Sequence, residues 1–586
     1  VIAHFDAESY ERYIWFARVG EGSLGGKARG LAFLNSLVLK HGLANKYENV
    51  KISIPRTIVV ATEFFDQFIL ENGLQYVIDS DISDEEILSE FVSSRLPLPL
   101  LEQLRAYLET VRTPLAVRSS SKLEDSSYQP FAGVYSTYMI PLVENKDQML
   151  RMLGKAIKSV YASVFYSSSR TYIHTTANLL SEEKMAVVVQ SICGSQHGGF
   201  YYPMLSGVAR SVNYYPIGDE KAEEGTVSLA MGLGKYIVDG GTALRVCPYH
   251  PNQVLQMSEM DIALRDTQTN FIALETNIPT DSSGNRQKTQ FQVDDGFNLV
   301  KVSVRDAEHD GSLQWICSTY DPMDQCIYDG FYEGRNRKII SFAGVLQNGV
   351  WPMPELLRLV LQLGQAEMKR PVEIEFAVNM DVPMGEMQVF NLLQIRPIIR
   401  NEESAKLDWS QIDTSGAIVY SQNALGVGLM RDIRRVVYMK FDKFSSLYTQ
   451  EIASELYEIN RRMRDDNQEY VLIGTGRWGS SDPNLGVPVK WAHISQARVI
   501  VESALPNFNV EASQGTHFFQ NVTSLGVGYL SLDPSHGDGE LDVEQLDAMP
   551  AWYDGEYMRC VEFPDPLYIY VDGQSKKGIV KPVPKK

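Results

Sequence analysis

The sequence predicts a mixed α/β protein with a large domain over residues 1–400 and a smaller domain over residues 401–586. Its 586 residues exceed what a single hydrophobic core usually organises. Up to about residue 400, segments with the apolar spacing of helices alternate with short runs rich in β-branched residues. This alternation suggests three subdomains, at about 1–110, 111–245 and 246–400. Beyond them a polar stretch and a charged segment replace the alternation, which indicates a second α/β domain.

The elements of the large domain follow from these two patterns. Residues 1–50 are expected to be helical, because Leu31, Leu34 and Leu37 share one face of a helix. The β-branched run at 51–62, with a proline near its entry, predicts a strand. The same reasoning predicts, in order, helices over 63–110, a strand at 114–121, a helix over 146–180, a strand at 185–192, short strands to about 345, a helix at 354–368, and strands at 372–379 and 387–395.

The second domain is less regular in sequence. Residues 401–416 are polar and are expected to form a linker. Residues 422–466 carry many charges and predict one long helix or a pair of helices. The last 120 residues mix strands with turns that contain Gly and Pro, and the lysine-rich end is expected to be frayed. The sequence assigns no role to this domain.

Composition limits the classes of partner. The net charge of −19 argues against nucleic acid as the main partner, because binding to a phosphate backbone needs a basic face. No run approaches 18 apolar residues, so we expect a soluble protein without a membrane partner. The five cysteines form no C-x-x-C pair, which is typical of reduced thiols in a cytoplasmic protein. Because the sequence begins with Val1 rather than Met, we expect it to be a piece of a longer protein.

Glycines precede a predicted helix at Gly25-Gly26-Lys27. Backbone N–H groups exposed at a helix N-terminus favour an anion, and Lys27 would add a positive charge beside them. The alternative is a Gly-Gly turn with a solvated lysine. The P-loop pattern G-x-x-x-x-G-K-[ST] is not met, so this motif alone does not define a phosphate site.

An arginine, Arg118, stands near the end of the strand predicted at 114–121, and three serines follow it. An arginine in this position suits a two-pronged grip on phosphate oxygens. The loop from Ser119 to Gly133 is rich in small residues, so its backbone could approach a triphosphate closely. The alternative is that Arg118 pairs with Glu124 or Asp125 on a surface loop.

An amide closes the next apolar strand, in which three valines run into Gln190. A side chain with both a donor and an acceptor could recognise the edge of an adenine base. The alternative is that Gln190 only closes a turn.

Two neighbouring predicted strands carry a further polar cluster. Glu373 and Glu375 share one face of the first strand, and Gln394 and Arg396 share one face of the second. Such groups are costly to bury without a ligand. Carboxylate and amide oxygens are ligands that Mg²⁺ prefers, and a nearby arginine could stabilise charge on a phosphoryl group during transfer. A self-contained salt bridge is the alternative.

These motifs occur in a fixed order along the chain. They are GGKARGL, IPRTIVVATEFF, LAVRSSSKLED followed by FAG, MAVVVQ, MGLGKYIVDG, IEFAVN and LLQIRP. The order resembles the ATP-binding domain of the phosphoenolpyruvate synthase and pyruvate phosphate dikinase family, from about residue 15 to 400. The resemblance implies an ATP-grasp-like nucleotide-binding domain. It also implies an ATP- and Mg²⁺-dependent phosphotransferase that acts on a small molecule such as pyruvate.

The resemblance further implies roles for single residues. The residues implied to bind the nucleotide are Lys27, Arg118, Gly133, Thr137, Gln190 and Arg396. Among them, Lys27 and Arg118 would hold phosphates, and Gly133 and Thr137 would lie in the loop over the triphosphate. Gln190 would lie near the base or ribose. Arg118 and Arg396 would be catalytic, with Arg396 on the phosphoryl group being transferred. The implied Mg²⁺ ligands are Glu375 and Gln394.

The sequence departs from the family pattern within the large domain. Lys235 stands where the family's G-L-G-E motif has a carboxylate. Ser168 and Ile173 stand where arginines are expected, with only a displaced Arg170 nearby. These departures favour an alternative function, a regulatory module that senses ATP without transferring phosphate.

The second domain lacks two features of the full-length family. No T-S-H-x-A sequence marks a phosphohistidine domain, and the 186 residues after position 400 are too few for a (β/α)₈ barrel, which takes about 250. His517 is the best candidate for a phosphoryl acceptor among the histidines of this domain, the alternative being a structural histidine. Residues 474–479 spell G-x-G-x-x-G, but Pro483 and Pro488 follow where a dinucleotide site needs a helix, so we expect none.

Overall fold

A computed structural model describes residues 2–5, 15–121, 135–167, 169–170, 183–239, 241–277, 291–334, 336–398, 408–480, 482–510, 522 and 526–583. Helices and strands alternate through these residues, which confirms the predicted mixed α/β class. The helices among them are Gly25–Lys40, Thr62–Glu71, Asp84–Ser93, Leu98–Leu108, Lys146–Ser163, Lys235–Val238, Met260–Arg265, Ala343–Leu346, Met353–Met368, Thr449–Asp465 and Val543–Asp547. No helix in these ranges is both long enough and apolar enough to cross a bilayer.

The chain divides into two compact units. The first unit consists of Val1–Arg210, Val227–Leu244 and Thr267–Ile399. The second consists of Ser211–Thr226, Arg245–Asp266 and Arg400–Lys586. Two short segments from within the first 400 residues therefore belong to the second unit.

One sheet of the first unit is mixed, with two parallel and three antiparallel strand pairs. Its strands lie in the order Ala3–His4, Phe16–Val19, Thr57–Val60, Met185–Ser191, Leu115–Ser121 and Thr137–Ile140. Helices from residues 62–163 pack on it, and Phe68 contacts both Phe91 and Tyr161 with ring centroids 5.6 and 5.4 Å apart. A capping box fixes the start of one of these helices, because the Ser83 hydroxyl accepts from the Glu86 N–H while the Glu86 carboxylate accepts from the Ser83 N–H.

A second sheet of the first unit carries Glu373, Glu375, Gln394 and Arg396. Its strands include, in order, Thr226–Ala230, Leu205–Arg210, Val372–Asn379, Gln388–Pro397 and Val50–Ser53. Two smaller sheets complete this unit, made of Leu299–Ser303, Asn270–Glu275, Phe200–Tyr202 and Ser195–His197, and of Cys326–Asp329, Cys317–Asp321 and Lys338–Ile340.

Helix Gly25–Lys40 packs between the two large sheets, and glycines permit this close approach. A Cβ atom on Gly25 would lie 2.0 Å from the Ser120 carbonyl oxygen, and one on Gly30 would lie 2.9 Å from the Ile395 carbonyl oxygen. Gly25 also has φ +72°, a conformation that side chains disfavour. The GGKARG motif therefore brings the helix against a strand of each sheet.

The second unit is built on a seven-stranded sheet with a parallel centre. Its strands lie in the order Asn423–Leu425, Gly528–Leu532, Ala497–Ser503, Tyr470–Thr475, Arg435–Met439, Met558–Glu562 and Ala551–Asp554. A five-stranded sheet contains Val427–Met430, Tyr568–Asp572, Lys577–Lys581, Val419–Ser421 and Glu540–Leu541. After Tyr470–Thr475 the G-x-G-x-x-G segment continues into the short strand Arg477–Trp478, so no helix opens there, as expected.

Three predictions of secondary structure are wrong. Residues 1–50 are not helical throughout, because Phe16–Val19 is a short buried strand that has no room for a visible period. The single strand predicted at 51–62 is two strands in different sheets, separated at Pro55, which has no N–H to donate to a ladder.

The third error lies in the second unit. The long helix or pair of helices predicted over 422–466 is a single α-helix at Thr449–Asp465, and the residues before it form mainly strands and turns. Arg435–Met439 is buried along its whole length in the sheet centre, where β-branched residues pack well. Gly426 and Gly428 have positive φ values, which are incompatible with a helix. The charges of this segment thus mark strand ends and turns in its first half.

Candidate nucleotide-binding site

The N-terminus of helix Gly25–Lys40 is attached to the serine run that follows Arg118. The Ser120 hydroxyl donates to the Leu24 carbonyl at 2.7 Å and accepts from the Ala28 N–H at 3.1 Å. The Lys27 ammonium donates to the Ser119 hydroxyl at 3.0 Å. The serines therefore fix the start of the helix, and Lys27 contacts the residue that follows Arg118 on the strand.

Arg118 connects the two large sheets of the first unit. Its Nη2 donates to the Gln394 amide oxygen at 2.7 Å and lies 3.7 Å from the Glu375 carboxylate. Its Nη1 donates to the Leu393 carbonyl at 3.1 Å and to the Gln190 amide oxygen at 3.3 Å. Only 12% of the Arg118 side chain is exposed, so this cation is held largely out of water.

A β-bulge on strand Gln388–Pro397 makes this arrangement possible. Glu375 pairs with Gln394, but the next residue, Phe376, pairs with Leu392, which leaves Leu393 as the extra residue. The Leu393 carbonyl accepts from Arg118. The bulge thus turns a backbone oxygen toward the same guanidinium that the Gln394 side chain contacts.

Glu373 and Arg396 form a salt bridge beside these residues. They are direct partners across the strands, and both the Nε and the Nη2 of Arg396 donate to the Glu373 carboxylate, the Nε at 2.8 Å. Arg210, on the next strand, donates to the other oxygen of Glu373 at 2.7 Å. Burial acts to raise the pKa of Glu373, but the charges of Arg396 and Arg210 prevail and hold it below its usual value.

Thr137 and Gln190 flank Arg118 in the first sheet. Thr137 is the direct strand partner of Arg118, and its N–H donates to the Asp295 carboxylate at 2.7 Å. The buried Gln190 side chain contacts Arg118 through its oxygen and the Thr57 hydroxyl through its nitrogen, at 3.3 Å each. Gly133 lies outside the described residues, as do Glu124 and Asp125.

The structure therefore brings together most of the residues that the sequence marks. Arg118, Gln190, Glu375 and Gln394 are in contact, and Lys27 and Thr137 adjoin them through strand Leu115–Ser121. Arg396 follows on the same face as Gln394, two residues along the strand. Asp295, Arg210 and the bulge at Leu393 were not expected from the sequence.

Lys235 lies beside this group of residues and faces carboxylates. Its ammonium is 3.2 Å from Asp239 and 3.9 Å from Asp295. Burial raises the pKa of Asp295, and the charge of Lys235 acts against that shift. Where the resemblance led us to expect a carboxylate, the chain thus has a lysine that neutralises acids on either side. Ser168 and Ile173 lie outside the described residues.

Comparison with known proteins identifies the family to which the chain belongs. Residues 21–416 match the family described as the pyruvate phosphate dikinase, AMP/ATP-binding domain, which covers well over half of the chain. The chain therefore belongs to this family, and the resemblance, the ATP-grasp-type fold and ATP as the ligand of the domain are confirmed.

Individual relatives are more distant. The chain is 24% identical over 421 residues to the phosphoenolpyruvate synthase of Aeropyrum pernix, covering 66% of this chain and 42% of that protein. It is 28% identical over 227 residues to the uncharacterized phosphotransferase YvkC of Bacillus subtilis, covering 39% of this chain and 24% of that protein. A probable phosphoenolpyruvate synthase of Staphylothermus marinus is 26% identical over 214 residues, covering 32% and 23%. The chain thus spans less than half the length of these relatives.

Proposed function

We propose that this chain binds ATP with Mg²⁺ between the two large sheets of its first unit and transfers a phosphoryl group from it. The observation that carries the proposal is the junction at Arg118. One largely buried guanidinium contacts residues 72 to 276 positions away in sequence, from a strand of each sheet. A buried cation surrounded by oxygen acceptors, beside a helix N-terminus with a lysine, is suited to a polyphosphate.

The residues would divide the work as follows. Lys27 and Arg118 would hold phosphate oxygens through charge-assisted hydrogen bonds, which are the stronger kind. Arg396, on the same strand face as Gln394, would neutralise charge on the phosphoryl group being transferred. Thr137, as the strand partner of Arg118, and Gly133 would lie over the triphosphate, and Gln190 would contact the base or ribose.

The donor set also fits Mg²⁺. The Glu375 carboxylate and the Gln394 amide oxygen lie opposite each other on paired strands, and oxygen ligands of this kind, completed by phosphates and water, are those that Mg²⁺ prefers. Glu375 and Gln394 would hold the ion, which when bound would neutralise charge on the phosphate oxygens. Both side chains contact Arg118 in the present structure, so Arg118 would exchange them for phosphate oxygens as ATP and Mg²⁺ enter together.

Equilibrium binding tests this assignment. Arg118→Met removes the guanidinium and keeps a long side chain. It should weaken ATP–Mg²⁺ binding by about 1.5–3 kcal/mol, the usual contribution of hydrogen bonds to charged groups. Arg105→Met is the matched control, because Arg105 lies in the same unit and pairs only with the exposed Asp147 among the described residues. Titration calorimetry measures both, and equal affinities for the two variants would contradict the proposal.

Lys235 supports a second candidate function, an ATP sensor that does not transfer phosphate. The lysine stands where the resemblance leads us to expect a carboxylate, and it neutralises Asp239 and Asp295. Binding experiments do not separate the two functions, whereas product analysis does. Conversion to AMP would support a dikinase that acts on a small molecule such as pyruvate, and conversion to ADP would support a simple kinase. Bound but unchanged ATP would support the sensor.

A further inference from the structure

Three side chains that commonly bind metal ions meet in the second unit, apart from the proposed nucleotide site. Glu224, Cys247 and His250 each offer one ligand atom, and these atoms all lie within 4.8 Å of one another. No other group of three or more such side chains occurs in the part of the chain that the structure describes. The proposed phosphoryl transfer uses none of the three residues.

A tight turn brings the thiol and the imidazole together. The His250 N–H donates to the Cys247 carbonyl at 2.9 Å, which closes the four-residue turn Cys-Pro-Tyr-His. Burial raises the pKa of the Cys247 thiol to about 11, while backbone hydrogen bonds from Tyr249 and His250 act in the opposite direction. An ion that binds here would displace the thiol proton, because the thiolate is the form that binds metals.

Glu224 reaches the same point from another segment of the second unit. Its Oε2 lies 2.8 Å from the His250 Nε2 and 3.9 Å from the Cys247 Sγ. The same oxygen accepts from the Lys221 N–H at 3.0 Å. A backbone group therefore orients this carboxylate, as outer-sphere partners orient the carboxylates that bind metals.

We propose that Glu224, Cys247 and His250 bind a divalent cation of the Zn²⁺ type. A thiolate and an imidazole select such an ion over Mg²⁺ or Ca²⁺, which take oxygen ligands. Tetrahedral Zn²⁺ with bonds of about 2.0–2.3 Å separates its ligand atoms by about 3.3–3.8 Å. The Glu224 and His250 atoms, now 2.8 Å apart, would therefore move apart by about 0.5 Å, and the Cys247 sulfur, now 3.9 Å from the Glu224 oxygen, would approach that oxygen by about 0.4 Å.

Three protein ligands leave a tetrahedral ion one position for a solvent atom. Solvent can reach the site, since 23% of the His250 side chain and 16% of the Glu224 side chain are exposed. Binding would release the thiol proton of Cys247 to solvent. The Nε2 proton that His250 now shares with Glu224 would also leave that nitrogen, by transfer to Nδ1 of the same ring or by release to solvent, so that Nε2 and the Glu224 carboxylate each bond to the ion. The site would then cross-link segment Ser211–Thr226 to segment Arg245–Asp266, next to the salt bridge between Arg245 and Glu220 at 2.8 Å.

Cobalt binding to the full chain tests the proposal. After removal of metals with a chelator, Co²⁺ should bind with one equivalent per chain. It should give a thiolate-to-cobalt charge-transfer band and the visible spectrum of a tetrahedral ion, and Zn²⁺ should abolish both. Cys247→Ser should lose the charge-transfer band, and His250→Asn should weaken Co²⁺ binding more than about tenfold. Cys326→Ser is the control, because Cys326 is a partly exposed thiol in the first unit and should leave the band unchanged.

The spectrum of the wild-type protein tests the metal site even if a variant does not fold. Absence of a charge-transfer band in the wild type at stoichiometric Co²⁺ would show that Glu224 and His250 form only an ion pair. A band that Cys326→Ser abolishes and Cys247→Ser retains would place the metal elsewhere. Failure of ATP binding in the same preparation would bear on the nucleotide proposal alone, since the two sites share no residue.

Discussion

Arg396 and Arg210 offer a matched pair of substitutions for separating binding from stability. Both arginines donate to the buried carboxylate of Glu373, at 2.8 and 2.7 Å, from opposite neighbouring strands. They are comparably accessible, with 36% and 52% of the side chain exposed. Only Arg396 is proposed to touch the nucleotide. Replacing each by alanine therefore removes a similar salt bridge but affects ATP differently.

The expected magnitudes follow from these contacts. Each substitution leaves Glu373 with one arginine, and both arginines are partly exposed, so each should lower the free energy of unfolding by about 0.5–1 kcal/mol. Arg396→Ala should in addition weaken ATP–Mg²⁺ binding by about 1.5–3 kcal/mol, which corresponds to a factor of about 10–150 in Kd. Arg210→Ala should leave the Kd of folded protein within about twofold of wild type.

Urea unfolding and titration calorimetry on the same preparations measure the two effects. The unfolding curves give the fraction folded, by which each Kd is corrected. The reasoning is refuted if the two variants lose ATP affinity equally, or if Arg396→Ala loses stability alone. In either case Arg396 would be a structural member of the ion pair, which was the alternative interpretation of this cluster.

Three further predictions concern stability and rates. Glu373 has a lowered pKa in the folded state, so its carboxylate should stabilise the fold at pH values above its unfolded pKa of about 4.3. That contribution should be lost as the pH falls through the folded pKa, so the difference in unfolding free energy between wild type and Glu373→Gln should shrink in that range. A difference that stays constant with pH would contradict this. Gly25→Ala should destabilise the protein by more than about 2 kcal/mol, because the new Cβ would clash with Ser120 and the φ of Gly25 is unfavourable for alanine. Gly42→Ala should cost only about 1 kcal/mol, because Gly42 has a similar φ of +60° but no atom within 4 Å of the new Cβ. Equal shifts in melting temperature for the two variants would argue against close packing at Gly25. The association rate constant for ATP–Mg²⁺ should stay constant or rise from low to physiological salt, because salt screens the repulsion between the anionic nucleotide and a chain of net charge −19. A steep fall of this rate constant with salt in stopped-flow measurements would indicate a broad basic surface around the site instead.

Local pattern predicts much of the first unit because its elements are long or strongly periodic. Strand Leu115–Ser121, helix Met353–Met368 and the two strands that carry Glu375 and Gln394 were all expected from residue spacing. Adjacent strands and the period of two also predict that Glu375 and Gln394 share a face. These features depend on neighbours in sequence, which is why sequence reasoning reaches them.

Other parts of the site depend on contacts that no local pattern records. The bulge at Leu393 falls in a pair of leucines between Asn391 and Gln394, and no glycine or proline marks it. Asp295 meets Thr137 from 158 positions away, and Arg210 meets Glu373 from 163 positions away. In the second unit, the charges of residues 422–448 suggested a helix, although the apolar residues between them are buried in a sheet. There tertiary burial overrides the average composition of the segment.

Phosphorus NMR of ATP and Mg²⁺ with the full chain, with and without pyruvate, tests the central claim most directly. The spectrum follows every phosphate of the nucleotide at once, so it distinguishes AMP from ADP as the product and both from intact ATP. Phosphoryl transfer by the proposed site predicts that the ATP signals disappear, that AMP or ADP replaces them, and that Arg118→Met abolishes the change while Arg105→Met does not. If the ATP signals stay unchanged when enough wild-type protein is present to bind all the ATP, phosphoryl transfer by this chain is contradicted.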